Sequence, residues 1–161
     1  MGQSNMDTFR RKLLKGAGGT SVLVAALAAG VLRPTRVLAS EWNKAAFEAK
    51  DLAGALKSVG AASTVESKEI VIKAPDIAEN GAVVPIEVTS NIPNTQSISV
   101  LVEKNPLPLA ADFSFSNGAM PQVSVRLKMG QTSNINVVAK ANGKFYSAQK
   151  EVKVTIGGCG G

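Results

Sequence analysis

The chain has 161 residues, 45% apolar and 4% aromatic, with a net charge of +6, a size and composition that fit one globular domain plus a small appendage. Six of its 18 basic residues (Arg10, Arg11, Lys12, Lys15, Arg33 and Arg36) lie in the first 39 positions against one acid, Asp7, whereas the remainder carries 12 basic and 11 acidic residues. A near-neutral body with one Trp, one Tyr and no basic run is a poor binder of a phosphate backbone, so no nucleic-acid partner is expected.

Residues 1–39 read as an export signal. Arg10-Arg11 and Lys12 precede Leu13-Leu14, a weakly apolar and glycine-rich stretch without charge follows from Ala17 to Leu32, and Val37-Leu38-Ala39 places small residues where a signal peptidase cleaves. Paired arginines in this setting match a twin-arginine signal, with Leu13 where the common pattern has Phe. The expected location is therefore the periplasm. The apolar run is short and interrupted by glycines, so no permanent membrane anchor is expected.

Cleavage after Ala39 would leave a body, residues 40–156, that opens with a helix. Trp42, Ala46, Ala49, Ala53 and Leu56 recur at helical spacing, so the pattern predicts one amphipathic helix over 41–58, capped by Ser40 and ended by Gly60. Packing on a sheet suits its small alanine face better than a membrane or a partner helix does.

From residue 67 the period changes to two. Ile70–Ile72 predicts one strand; Val83–Thr89 a second, with Pro85 marking a bulge or edge; Ile98, Val100 and Val102 a third; Phe113 and Phe115 a fourth. Val123, Val125 and Leu127 predict a fifth, with Ser124, Arg126 and Lys128 on its other face. Ile135, Val137 and Ala139 predict a sixth. Asn142-Gly143 signals a hairpin turn, and Phe145–Ile156 supplies one or two more strands. About seven short strands in succession predict an all-β fold, an antiparallel β-sandwich of immunoglobulin-like type.

Absences narrow the chemistry. The chain has no histidine, which removes the usual general base near neutral pH, the Ser-His and Cys-His nucleophile pairs and the commonest metal ligand. Glu66 and Glu69 are the closest carboxylates in an ordered-looking segment, and in a strand they would sit on opposite faces, as a solvated edge rather than an acid–base pair. With no glycine-rich loop before a helix in the body, the chain lacks the parts of a self-sufficient enzyme. No catalytic residue and no metal ligand set is expected.

What remains is the C-terminus, residues 157–161, which read Gly157-Gly158-Cys159-Gly160-Gly161 and hold the only cysteine. Four glycines around one thiol predict a slim, flexible arm, and the last strand would anchor it to a rigid body. In an oxidising compartment a lone cysteine has no internal partner, so Cys159 is free, joined to another molecule, or chemically loaded. No cation or helix N-terminus is near it in sequence, and the terminal carboxylate weakly opposes thiolate formation, so activation is expected from a partner's pocket.

The segment Thr155–Gly161, the twin-arginine signal and the stretch Val102-Glu103-Lys104-Asn105-Pro106-Leu107-Pro108-Leu109 together resemble the SoxY family, over essentially the whole chain. That resemblance implies the sulfur-carrier subunit of a periplasmic thiosulfate-oxidising system. It implies an immunoglobulin-like sandwich, a heterodimer with a SoxZ subunit, and covalent attachment of sulfur intermediates to Cys159 in place of any cofactor. It also implies transient docking to SoxXA, SoxB and, where present, SoxCD. Read without the resemblance, Asn105–Pro108 is a rigid interstrand loop or an enzyme contact. Cys159 is a carrier thiol, an intermolecular disulfide tether on a binding module, or, with Met120 and Met129, a Cu(I) ligand, and the methionine spacing disfavours the last.

Overall fold

The computed structural model describes residues 43–116 and 118–155. Of the two units into which the chain divides, Met1–Glu41 and Trp42–Gly161, these residues all belong to the second. They form two short helices, α1 (Lys44–Phe47) and α2 (Leu52–Ser58), followed by nine strands. The strands are β1 (Val65–Glu66), β2 (Ile70–Lys73), β3 (Ile77–Ala78), β4 (Val84–Ser90), β5 (Thr95–Val102), β6 (Leu109–Ser114), β7 (Gln122–Leu127), β8 (Ser133–Ala141) and β9 (Lys144–Val154). No helix among the described residues is long and apolar enough to cross a membrane.

The single helix expected over 41–58 is two. Asp51 adopts an extended backbone and its side chain accepts the N–H of Gly54 at 2.7 Å, capping a new helix in the middle of the predicted one. Asn43 caps α1 by accepting from Ala46 N (3.2 Å), and its amide donates to the carbonyl of Ser58 at 2.8 Å, so one side chain closes the start of α1 onto the end of α2. The break re-aims the apolar face: Ala55 is buried, while Ala53, expected on that face, is exposed. Gly60 ends the helix as expected. Its φ is +83°, with Gly60 N bonded to Lys57 O and Ala61 N to Leu56 O, the paired bonds of a glycine-terminated helix end. The proposed Ser40 cap and Trp42 lie outside the described residues.

Two sheets stack as an immunoglobulin-like sandwich. The larger runs β1-β9-β8-β5-β6, with β3 also on β9, and the smaller runs β2-β4-β7. Between them Val84, Ile86, Val88, Ile98, Val100, Val102, Ile135, Val137 and Val152 form the core, nearly all fully buried. Alternation accounts for these positions. It does not account for Leu101 and Val138, which face outward from the larger sheet and are buried there with Leu109 beneath α1 and α2. The helices therefore pack on the sheet, and β5 and β8 are buried on both faces.

The ladders are antiparallel except at two places. Both β1 (Val65↔Tyr146) and β3 (Ile77↔Lys153) pair parallel to β9, on two-residue stretches that alternation could not reveal. Between them the chain leaves for the other sheet as β2 and returns. Pro85 sits in β4 opposite Arg126 of β7, but the pairing of β2 with β4 stops at Glu87, so the missing N–H costs no bond on that side.

The β8–β9 hairpin turns at Asn142-Gly143, with φ of +51° and +73°, as two left-handed residues of a two-residue turn. Asn142 also accepts from the side chain of Asn94 (3.0 Å) and donates to the carbonyl of Pro93 (3.1 Å). A Cβ at residue 143 would meet nothing within 4 Å, so backbone strain alone is at stake. Gly143→Ala is expected to lower stability by about 1 kcal/mol, measured as a lower urea midpoint with an unchanged m-value.

Candidate functional site

The residues singled out by sequence for chemistry, Cys159 with Gly157, Gly158, Gly160 and Gly161, and Arg10 and Arg11 of the export signal, lie outside the described residues. What the structure describes is the support from which the C-terminal segment departs. It is built from three stretches far apart in the chain.

On one side of β9, β3 pairs Ile77 with Lys153 and Ala78 with Val154, and the bond from Thr155 N to Ala78 O (3.1 Å) extends the ladder one residue further. On the other side β8 ends its register at Ser133↔Val152, and there Thr132 takes over. Its hydroxyl accepts the N–H of Val154 at 3.0 Å, a side chain standing in for a strand carbonyl. The last turn of backbone before residue 156 is therefore held from both edges.

Below this ladder Gly81 touches Met129 and Val154 so closely that no Cβ fits. A Cβ there would lie 2.7 Å from a methyl of Val154 and closer still to the carbonyl oxygen of Met129. The same approach lets Met129 N donate to Gly81 O at 2.7 Å. Met129 is 2% exposed, a core residue. Sequence reasoning passed over Gly81, although Asn80-Gly81 is a turn signal; Asn80 accepts from Ala82 N (2.9 Å).

The crossing segment before β3 is fixed by Lys150, whose ammonium donates to Ala74 O (2.7 Å) and pairs with Asp76 (3.0 Å). The Asn105–Pro108 stretch joins the same end of the sandwich. Asn105 donates to Lys128 O (2.7 Å) and Val102 N bonds to Pro108 O (2.8 Å), while Lys104 N donates to the Ser133 hydroxyl (3.0 Å). The loop is thus tied to the strand ends beside it, with Pro108 buried and Leu107 exposed.

The other candidates are not assembled into sites. Glu66 and Glu69 are both exposed, on β1 and just before β2. Met120 and Met129 lie at opposite ends of β7, the first 74% exposed and the second in the core, so the structure does not bring the two thioethers together for a copper ion. No group of three or more metal-ligating side chains occurs among the described residues. A cavity of about 500 Å³ opens at the opposite end of the sandwich from β9's C-terminus, between residues 90–96 and 115–121. Its described lining contains no titratable side chain, which leaves it without an acid or base for catalysis.

The comparisons with known proteins bear on the same region. A family model for the sulfur oxidation protein SoxY matches residues 56–159, a span that takes in the sandwich strands and the cysteine beyond them. No curated protein matches at a significant level. Among solved structures, the sulfur carrier protein SoxY from Chlorobium limicola f thiosulfatophilum is 43% identical over 68% of this chain and 96% of its own, with a TM-score of 0.61. A superoxide reductase (neelaredoxin) from Ignicoccus hospitalis is 22% identical over 53% of this chain and 79% of its own, at a TM-score of 0.48, and no functional argument rests on it. With nearly all of a solved SoxY chain covered at that identity, and with the family pattern running from α2 to Cys159, the chain belongs to the SoxY family.

Proposed function

We propose that this protein carries sulfur intermediates covalently on the thiol of Cys159 and presents them to separate enzymes of thiosulfate oxidation, without being an enzyme itself. The observation that carries the reading is the reach of the family match through Cys159, the single thiol of a chain that has no histidine. The solved relative is named as a sulfur carrier. The doubly held end of β9 supports the reading too, since a load can be aimed only from a rigid base.

The chemistry balances with partners and without a resident cofactor. Joining thiosulfate to the thiol, Cys–SH + S₂O₃²⁻ → Cys–S–S–SO₃⁻ + H⁺ + 2 e⁻, needs an electron acceptor, the role assigned to the SoxXA cytochrome. Hydrolysis by SoxB, Cys–S–S–SO₃⁻ + H₂O → Cys–S–S⁻ + SO₄²⁻ + 2 H⁺, leaves a persulfide. SoxCD, where present, oxidises the remaining sulfane sulfur. A SoxZ-like subunit completes a heterodimer, and Arg10-Arg11 direct twin-arginine export to the periplasm. Glycines 157, 158, 160 and 161 present no side chain to the walls of a narrow tunnel.

Intact-mass measurement of protein purified from the native periplasm tests the carrier against a disulfide tether. The expected spectrum is a series of sulfur-containing additions to the monomer that disappears on reduction. One doubled or heterodimeric mass that collapses on reduction would instead establish the tether.

A further inference from the structure

We infer that Ile77, Val83 and Leu107 form an apolar collar around the root of the C-terminal arm, and that the pocket mouth of each enzyme receiving Cys159 closes on this collar. The inference rests on the carrier reading above and adds to it the surface by which the body docks. Its starting point is reach. Cys159 lies four residues beyond Thr155, so even a fully extended chain sets the thiol at most about 14 Å from the end of the sandwich. An active site recessed by most of that length leaves only a few ångströms between the enzyme's rim and the body. Whatever surrounds Thr155 is therefore covered in every productive encounter.

The hydrogen bonds and close contacts at this end identify what surrounds it. Ile77 is 58% exposed and directly precedes Ala78, whose carbonyl takes the N–H of Thr155. Val83, 49% exposed, follows Gly81, whose backbone abuts Val154. Leu107, also 49% exposed, projects from the loop that Asn105 fastens to Lys128, next to Met129 and hence to Gly81. Three separate loops thus each bring a solvent-exposed aliphatic side chain to the end of the sandwich where the arm departs. Folding leaves this apolar surface unburied, although the core lies next to it.

The occupant's chemistry follows from the collar's own. Charges of both signs, Glu79, Lys104, Lys128 and Lys153, are scattered among these residues and offer no single-signed patch for steering. Apolar contact is non-directional and indifferent to the partner's charge pattern, which suits a surface that several enzymes share in turn. Three half-exposed side chains make a contact far smaller than a permanent interface needs, so the carrier can be released once its load is processed. The partner is accordingly an enzyme with an apolar rim around a narrow pocket.

The test uses the full-length protein with its partner subunit, loaded with thiosulfate on Cys159, and follows sulfate release by the thiosulfate-releasing hydrolase at varied carrier concentration. Ile77→Asp and Leu107→Asp are each expected to raise KM at least tenfold, equivalent to about 1.4 kcal/mol of docking free energy, with kcat unchanged. Met120→Asp, an exposed apolar position at the opposite end of the sandwich, is the control and should match wild type. Alkylation of Cys159 by a small reagent should proceed at one rate in all variants, which shows that the thiol and fold are intact. Unchanged KM in both collar variants, alongside an inactive Cys159→Ser, overturns the collar and leaves the carrier standing. Sulfate release by Cys159→Ser would overturn the carrier itself. A loss of self-association with normal KM would assign the surface to a second copy and likewise overturn the proposal.

Discussion

Cys159→Ser is expected to abolish thiosulfate-dependent electron transfer and sulfate release in a reconstituted system, with no residual turnover above the carrier-free background. The reason is chemical. A serine hydroxyl cannot form the S–S bond that both loading and hydrolysis require, and the chain has no second thiol to take over. The substitution exchanges one atom at a position four residues past the last described strand contact, so the thermal midpoint and circular dichroism should match wild type. Sustained turnover in this variant would remove the central claim, whereas loss of turnover with an unfolded spectrum would point to a structural role for the thiol.

The largest effect within the described body is expected at Gly81. A methyl group there must displace either the carbonyl of Met129 or the side chain of Val154, and the first is backbone held by its own hydrogen-bonded loop. Overpacking of this kind costs about 2–3 kcal/mol when no flexible side chain can give way. For a domain of this size that is a fall in Tm of about 10 °C or more, measurable by calorimetry. Because the strained contact lies against Val154, the bonds from Val154 N to Thr132 and from Thr155 N to Ala78 should loosen first. Amide exchange at residues 153–155 is expected to quicken more than at Val100 or Val137 in the core. Uniform acceleration across the strands would show that Gly81 matters to global stability alone.

The two substitutions divide along the line between what neighbouring residues encode and what distant ones must assemble. Alternation at Val123-Ser124-Val125-Arg126-Leu127 and at Ile135, Val137 and Ala139 was readable because side-chain direction in a strand is a local property. The Asn142-Gly143 turn and the Gly60 helix end were readable for the same reason, since positive φ selects residue type at a single position. The helix break was legible in part. Asp51 is a strong capping residue, but its neighbours keep a helical spacing, and only the bond to Gly54 N and the closure of Asn43 onto Ser58 decide for two helices. Leu101 and Val138 broke the alternating rule as members of continuous apolar runs. Such runs signal burial on both faces without saying what covers the second one, and the answer, α1 and α2, required the tertiary fold.

The short parallel strands β1 and β3 had no sequence signal of their own. Two residues carry no period, and they are strands because the edge of β9 offers unpaired backbone groups that a passing segment satisfies. The same holds for the arm's base: Ala78, Gly81, Met129, Thr132 and Val154 meet only when three segments far apart in the chain converge.

By itself, then, the sequence determined the chemistry available to this protein: one thiol, no histidine, four glycines about the cysteine, and the alternating strands of a sandwich. Each of these is a matter of residue type or of near neighbours. The tertiary structure alone decided where the arm is rooted, which strands hold that root on both edges, and which aliphatic side chains ring it. Those outcomes depend on long-range pairing, in which backbone groups and apolar surfaces far apart in the chain are satisfied together only in the folded state.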